Sequence, residues 1–291
     1  MYLFLLPAFV TVFFFAYRPM VGIIMAFQEF SIKGGYLSSP FVGLANFHAF
    51  LTHSDFYKSL YNTVALGILS IVIIFPLPIL FALLINEMKF PKVKRITQTI
   101  SYLPHFVSWI IASSIVIRFL DFNTGLVNNI IASLGGTRIG FMRDPKHFWT
   151  IILSASVWKE LGWESIIYLS AIAGVDQEIY EAAMVDGAGR WKQMTCITIP
   201  SIMPTIGLLL VLSVGRLVSS GGLFDTVYNL QNPMVAAKAN TIELYAYYQG
   251  IVYTRYSYAT AITLTQSVIS LMLVLLSNKI YGRLNDDTSV F

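Results

Sequence analysis

The chain has 291 residues, of which 56% are apolar and only 12% are charged, and its mean hydropathy is +0.68. A soluble fold with a polar surface does not have this composition, so the sequence predicts a membrane protein. The single cysteine, Cys196, excludes an internal disulfide. The formal charge of +4 comes without the basic patch of a nucleic-acid-binding domain, so no nucleic-acid partner is expected.

Long apolar windows predict the architecture, because a helix that crosses a bilayer needs about 20 mostly apolar residues. They indicate an all-α polytopic protein with six transmembrane helices in a single membrane domain over residues 1–291. This domain divides into a first span within 1–28, an outer loop at 29–60 and a five-span core over 61–281. The predicted spans cover residues 2–27, 61–84, 100–120, 148–173, 199–218 and 258–280.

Positive charge beside the helix ends predicts the orientation, because short loops rich in Lys and Arg stay in the cytoplasm. Lys89, Lys92, Lys94 and Arg95 lie within seven residues between the second and third predicted spans. We therefore expect this connection on the cytoplasmic side. With six spans, the N and C termini are then also cytoplasmic.

A short segment between the fourth and fifth predicted spans indicates a separate helix on the same side, over about 176–190. Acidic residues in its first turn and a glycine at its end match the preferences of the helix dipole and of helix caps. Residues four apart share one helix face, and here they are small, so another backbone can approach closely. The pairs are Ala182 with Asp186 and Ala183 with Gly187.

This segment resembles the cytoplasmic EAA loop of binding-protein-dependent ABC importers. That loop has Glu-Ala-Ala, three residues, Gly, nine residues and then Ile-x-Leu-Pro. The chain matches at every spacing, with Ile199 where leucine is usual: Glu181, Ala182, Ala183, Gly187, Ile197 and Pro200. The resemblance implies the type I ABC importer transmembrane-domain fold and a coupling helix that docks on a separate ATPase. The coupling residues would be Glu181, Ala182, Ala183, Asp186 and Gly187.

The resemblance also implies partners and a location. These are a second homologous permease subunit, two ATP-binding cassette ATPase subunits, an extracytoplasmic solute-binding protein, a carbohydrate substrate and the lipid bilayer of a bacterial inner membrane. The chain lacks a Gly-x-x-x-x-Gly-Lys-Ser/Thr phosphate loop, so ATP and Mg are expected in the partner ATPase and no cofactor in this chain. No metal-ligand spacing and no nucleophile–base pair stands out, so we assign no catalytic or metal residues and expect no enzyme activity.

Other stretches resemble permeases of the carbohydrate-uptake class, and in particular the branch for oligosaccharides and polysaccharide fragments. The similarity lies at residues 41–47, 102–109, 158–163 and 256–261, and it loosens at 236–240. It implies import of an oligosaccharide or polysaccharide fragment and does not identify the sugar.

Aromatic and charged residues in the predicted spans indicate a sugar-binding cavity, because aromatic rings stack on pyranose faces while polar groups bind hydroxyls. Charge within a bilayer is costly and needs such a reason. The expected lining residues are Trp109, Trp158, Lys159, Trp163, Glu164 and Arg216. An internal salt bridge of Arg216 and an interfacial anchor role of Trp109 stay open. If the cations line the passage, the substrate is acidic, such as a uronate fragment.

Two other functions also stay open. An ion-gradient-driven secondary transporter would have an internal repeat with paired broken helices, and the sequence has no visible repeat of this kind. An ABC permease for a non-sugar solute would have the same coupling segment.

Overall fold

The computed structural model describes residues 5–284, and every regular element in this range is helical apart from one isolated bridge between Gln28 and Phe41. Residue 2, where the predicted first span begins, and both chain termini lie outside the described residues. The principal helices are α1 (Leu6–Phe27), α2 (Ser54–Asn86), α3 (Pro91–Phe106), α4 (Trp109–Phe119), α5 (Pro145–Ala173), α6 (Gln177–Val185), α7 (Arg190–Ser201), α8 (Met203–Gly215) and α9 (Tyr256–Leu284).

Short helices fill the connections between these principal helices. They are Gly35–Ser38, Ala45–Leu51, Leu126–Ser133, Leu217–Gly222, Phe224–Leu230, Ala236–Ala239, Ile242–Tyr247 and Tyr248–Val252.

Among residues 5–284, three helices are long and apolar enough to cross a membrane, and these are α1, α2 and α9. Two bent pairs pass the same test together, α3 with α4 at 104° and α7 with α8 at 60°, so length and composition give three to five spans. The predicted count of six is higher because it includes α5. This helix has 29 residues, but Lys159, Glu160 and Glu164 interrupt its apolar sequence.

Two helices differ from their predicted course for local reasons. α2 begins seven residues before its predicted start, because Phe56 and Ser59 in its first turns are buried against the bundle. The predicted fifth span is broken between α7 and α8. Its far end then turns sharply, with left-handed backbone at Ser220, Gly221 and Gly222 (φ +50°, +70° and +82°). Two of these three are glycine, which adopts this conformation without steric cost.

Three clusters of buried apolar side chains hold the bundle together. The first joins α2, α5 and the helix Phe224–Leu230, the second joins α9 to the Ala45–Leu51 and Ile242–Tyr247 helices, and the third joins α2, α5 and the α7–α8 break. Their central residues are Leu66, Phe148 and Val227, then Phe50, Tyr245 and Tyr258, and then Leu83, Tyr168 and Ile202.

One very close helix contact is that of α3 with α5. A Cβ atom at Gly162 of α5 would lie 2.2 Å from the carbonyl oxygen of Ser101 in α3, so only glycine permits this packing. The contact holds α3 against the middle of α5, beside the charged residues of that helix.

We expect Gly162→Ala to destabilise the fold by about 1–3 kcal/mol, because the added methyl group meets backbone that cannot move aside. The measurement is the free energy of unfolding in mixed micelles of detergent and sodium dodecyl sulfate. Gly174→Ala is the control, since its Cβ would come no closer than 3.4 Å to any atom. Equal effects of the two substitutions would contradict the prediction.

Candidate functional site

A cavity of about 440 Å³ opens between α2, α5 and α8, near the middle of these helices. A smaller cavity beside it shares four of the lining residues and extends to Ser70 and Gly221. The larger cavity is lined by Phe75, Trp163, Glu164, Ile166, Ile167, Tyr168, Leu209, Ser213 and Arg216. Its walls are thus mostly apolar and aromatic, with a few polar groups, as is usual for small-molecule sites.

Two opposite charges, Glu164 and Arg216, line this cavity. Within residues 5–284, neither Glu164 nor Arg216 has an ion-pair partner within 4.0 Å. Arg216 caps the C-terminus of α8, where the helix dipole favours a cation. Both groups line the cavity without a close ion pair in the described part of the chain, so their polar atoms are available to a solute.

Three of the six residues predicted to line a cavity lie in it together: Trp163, Glu164 and Arg216. The other three lie elsewhere. Trp158 is 43% exposed on another face of α5, and Trp109 packs against the first apolar cluster.

Lys159 is buried and makes internal contacts. Its ammonium donates to the carbonyl oxygen of His105 at 2.8 Å and to Oε1 of Glu160 at 3.0 Å, and it lies 5.2 Å from the ring centre of Trp109. Lys159 and Glu160 are adjacent in sequence and nevertheless form an ion pair, because both long side chains reach His105 in α3. Lys159 thus joins α5 to the bend between α3 and α4.

His105 completes this group, and sequence reasoning did not assign it a role. Its Nδ1 lies 2.5 Å from Oε2 of Glu160, and its ring stacks on Trp163 with centres 4.2 Å apart and planes 2° apart. Glu160 and Trp163 are three residues apart, so both lie on one face of α5. This spacing was the sequence signal that could have indicated their shared contact with His105. The His105 contact positions Trp163 at the edge of the cavity.

The second candidate site is α6. Asp176 caps its N-terminus by accepting from the backbone N–H of Glu178 at 3.0 Å. Beyond its end, Gly187 has a φ of +75°, and the N–H of Ala188 donates to the carbonyl of Ala183 at 2.8 Å. This is a glycine-terminated helix end of the Schellman type, which requires left-handed backbone at Gly187.

The outer face of α6 is open. No residue of α6 is buried, and of the five predicted coupling residues only Ala183 is half-buried, while Glu181, Ala182, Asp186 and Gly187 are exposed. Large apolar side chains surround them on the surface, and these are Met184, Val185 and Trp191. An exposed apolar surface beside small residues is typical of a protein-binding site.

Two contacts fasten this region to the bundle. The hydroxyl of Tyr180 lies 2.9 Å from Oγ1 of Thr198 in α7. Arg190 donates to the backbone carbonyl of Glu87 at 3.2 Å and lies 3.7 Å from its carboxylate, at the end of α2. A force on α6 therefore reaches both α7 and α2.

The described residues form a helical bundle with a cavity and an exposed helix, the arrangement expected of the transmembrane subunit of a transport system. Residues 74–288 match the family described as the binding-protein-dependent transport system inner membrane component. The chain belongs to this family, which confirms the resemblance drawn from the EAA segment.

Relatives and a solved structure agree with this assignment. The chain is 40% identical to protein LplB of Bacillus subtilis (strain 168), over 99% of this chain and 90% of that protein. It is 38% identical to the polygalacturonan/rhamnogalacturonan transport system permease protein YteP of the same strain, over 99% and 89%. A crystal structure of a bacterial ABC transporter involved in the import of the acidic polysaccharide alginate matches with a TM-score of 0.89 and 38% identity, over 97% of this chain and 94% of the other. The predicted permease fold is thereby confirmed.

We expect Glu160→Gln to lower the free energy of unfolding by about 3–5 kcal/mol, because it leaves the buried ammonium of Lys159 without its carboxylate. Adding Lys159→Met should restore part of this loss. Unfolding in mixed micelles measures both variants, with Lys58→Gln as a control. That substitution removes the exposed pair of Lys58 with Asp55, so we expect a change below about 1 kcal/mol. Additive losses in the double variant would contradict the pairing.

Proposed function

We propose that this chain is the permease subunit of an ATP-driven importer that carries an acidic oligosaccharide across a bacterial inner membrane by alternating access. The observation that carries the proposal is α6, a capped helix with an EAA sequence and an unoccupied outer face on a chain of the binding-protein-dependent family. The names of YteP, a polygalacturonan/rhamnogalacturonan transport system permease protein, and of the ABC transporter involved in the import of the acidic polysaccharide alginate support the substrate class.

In the proposed topology α5 also crosses the membrane, as the fourth of six spans, and both termini and α6 are cytoplasmic. The basic residues just before α3 and in its first turns support this orientation. A solute-binding protein then delivers the sugar to the permease on the side of the bilayer opposite α6. A second homologous permease and two ATPase subunits complete the assembly, and ATP and Mg bind in the ATPase subunits.

In the proposed coupling mechanism, ATP binding closes the two ATPase subunits and moves α6. The Ala182, Ala183 and Gly187 surface provides close backbone approach, and Glu181 pairs with a cation or helix N-terminus of the ATPase. The contacts Tyr180 with Thr198 and Arg190 with Glu87 carry the movement to α7 and α2. Because α2, α5 and α8 surround the cavity, tilting them changes the side of the membrane to which the cavity opens.

In the proposed substrate site, the guanidinium of Arg216 binds the carboxylate of a sugar acid. Arginine suits this role because its donors match carboxylate geometry and it keeps its charge at membrane depth. The ring of Trp163, stacked on His105, offers an apolar face to the pyranose. Glu164 accepts hydrogen bonds from hydroxyl groups of the sugar.

Uptake into proteoliposomes tests the driving force. The purified permease pair with its ATPase is reconstituted, ATP is enclosed, and a sugar-loaded binding protein is added on the other side. We expect uptake only with enclosed ATP. Uptake driven by a proton or sodium gradient without ATP would instead establish a secondary transporter.

We expect Gly187→Val to abolish uptake and substrate-stimulated ATP hydrolysis, because a β-branched residue is strained at a φ of +75° and its bulk blocks close approach. Binding of the sugar-loaded binding protein should be retained. Gly187→Asn separates backbone strain from bulk, since asparagine tolerates left-handed backbone but still adds a side chain at the surface. Normal uptake by the valine variant would exclude α6 as the coupling site.

We expect Arg216→Gln to reduce the affinity of transport for an acidic oligosaccharide by about 10- to 100-fold, the usual effect of losing a hydrogen bond to a charged group. Uptake of a neutral oligosaccharide, where it is measurable, should change much less, and Arg216→Lys should retain part of the affinity. The assay is competition between acidic and neutral oligosaccharides in the same proteoliposomes. Equal loss for both sugars would show that Arg216 has no role in charge selection.

A further inference from the structure

The polarity of α3 is inverted relative to that of a helix on a water-soluble protein. Its side toward α5 has the half-buried polar residues Gln98 and Ser101, and the carbonyl of Ser101 packs against Gly162. Its outward side has an apolar stripe at helical spacing, with 50–67% of each side chain exposed: Val93, Ile96, Ile100 and Leu103. Such an outward face is stable where acyl chains surround it.

Four cations stand at the start of this stripe. Lys89 lies just before α3, and Lys92, Lys94 and Arg95 occupy its first turns. In the described part of the chain, none of them has an acidic partner within 4.0 Å. The acid nearest in sequence, Glu87, is already engaged by Arg190. These four side chains are called the α3 cationic cluster.

The cluster and the stripe follow one another along a single helix. Lys92 precedes Ile96 by four residues, which is about 6 Å along the axis. With the stripe among acyl chains, long basic side chains reach the headgroup layer at the same end. Lipids with anionic headgroups are attracted by clusters of four or more cations beside a transmembrane helix.

We propose that the α3 cationic cluster binds the headgroup of an anionic phospholipid, whose acyl chains lie along the apolar stripe. An amphipathic ligand matches both the cations and the exposed Val93 and Ile96 beside them. An acidic surface of a soluble protein would match the cations alone. The site is independent of the proposed transport cycle, since it rests on α3 and on a membrane around it.

The test is native mass spectrometry of the complete transporter, purified in detergent and titrated with phosphatidylglycerol or phosphatidylcholine. Each cation near an anionic headgroup contributes about fivefold in affinity. We expect the wild type to prefer phosphatidylglycerol and a variant with Lys89→Gln, Lys92→Gln and Lys94→Gln to lose most of this preference. Replacing the same three lysines by arginine should retain it. Unchanged preference in the glutamine variant would overturn the proposal.

A matched control removes the same charge elsewhere, through Lys33→Gln, Lys58→Gln and Lys146→Gln. These lysines are exposed and lie outside α3, so the preference for phosphatidylglycerol should persist. An equal loss in this control would mean that net charge, rather than the cluster, attracts the lipid and would overturn the proposal. If the triple variant does not assemble, Lys92→Gln alone should lower the preference about fivefold, and no change would overturn the proposal.

Copurification separates the lipid from a protein partner. We expect the triple glutamine variant to retain the ATPase subunits that copurify with the wild type. Loss of those subunits together with an unchanged lipid preference would assign the cluster to the ATPase and overturn the proposal.

Discussion

The organisation of this protein depends on how the charged side chains of α5 are paired. Lys159 and Glu160 stand in the middle of α5, where Lys159 is buried and an isolated buried charge is costly. Their partner is the bend between α3 and α4, which supplies the carbonyl and the ring of His105. The same contact that neutralises the charges thus joins two spans and aligns Trp163 with the cavity. By contrast, Glu164 and Arg216 have no ion-pair partner within 4.0 Å among residues 5–284, and this difference separates the charges that hold the bundle from those that line the cavity.

Much of the fold was accessible from the sequence because its signals are local. Apolar windows located the long helices, and the acidic first turn and terminal glycine of the predicted coupling helix indicated α6, which ends at Val185 rather than near residue 190. The EAA spacing indicated the family that the comparison established. The interruption between α7 and α8 was missed, since apolar content alone does not report a change of direction. The early start of α2 was missed because its first turns are buried by other parts of the chain.

The candidate site could be predicted only in part, because contacts between residues that are distant in sequence produce no local sequence pattern. Trp163, Glu164 and Arg216 were chosen for residue type, and they lie in one cavity. Lys159 was chosen on the same ground, yet it is engaged with His105, 54 residues away in sequence. Residue type indicates that a charged side chain in a predicted span has a structural or functional role. Only the packing of α3 on α5 shows whether that side chain forms an ion pair or lines the cavity.

The sharp turn after α8 limits how that helix can move. Its backbone meets α2 directly, because a Cβ atom at Gly67 would lie 2.3 Å from the carbonyl oxygen of Leu217. No flexible side chain lies between them to absorb displacement. If α8 rotates, its Gly215 end would therefore be the pivot, and its Met203 end, next to the break from α7, would move furthest. Such a rotation would displace Leu209 more than Ser213 and leave Arg216 almost stationary.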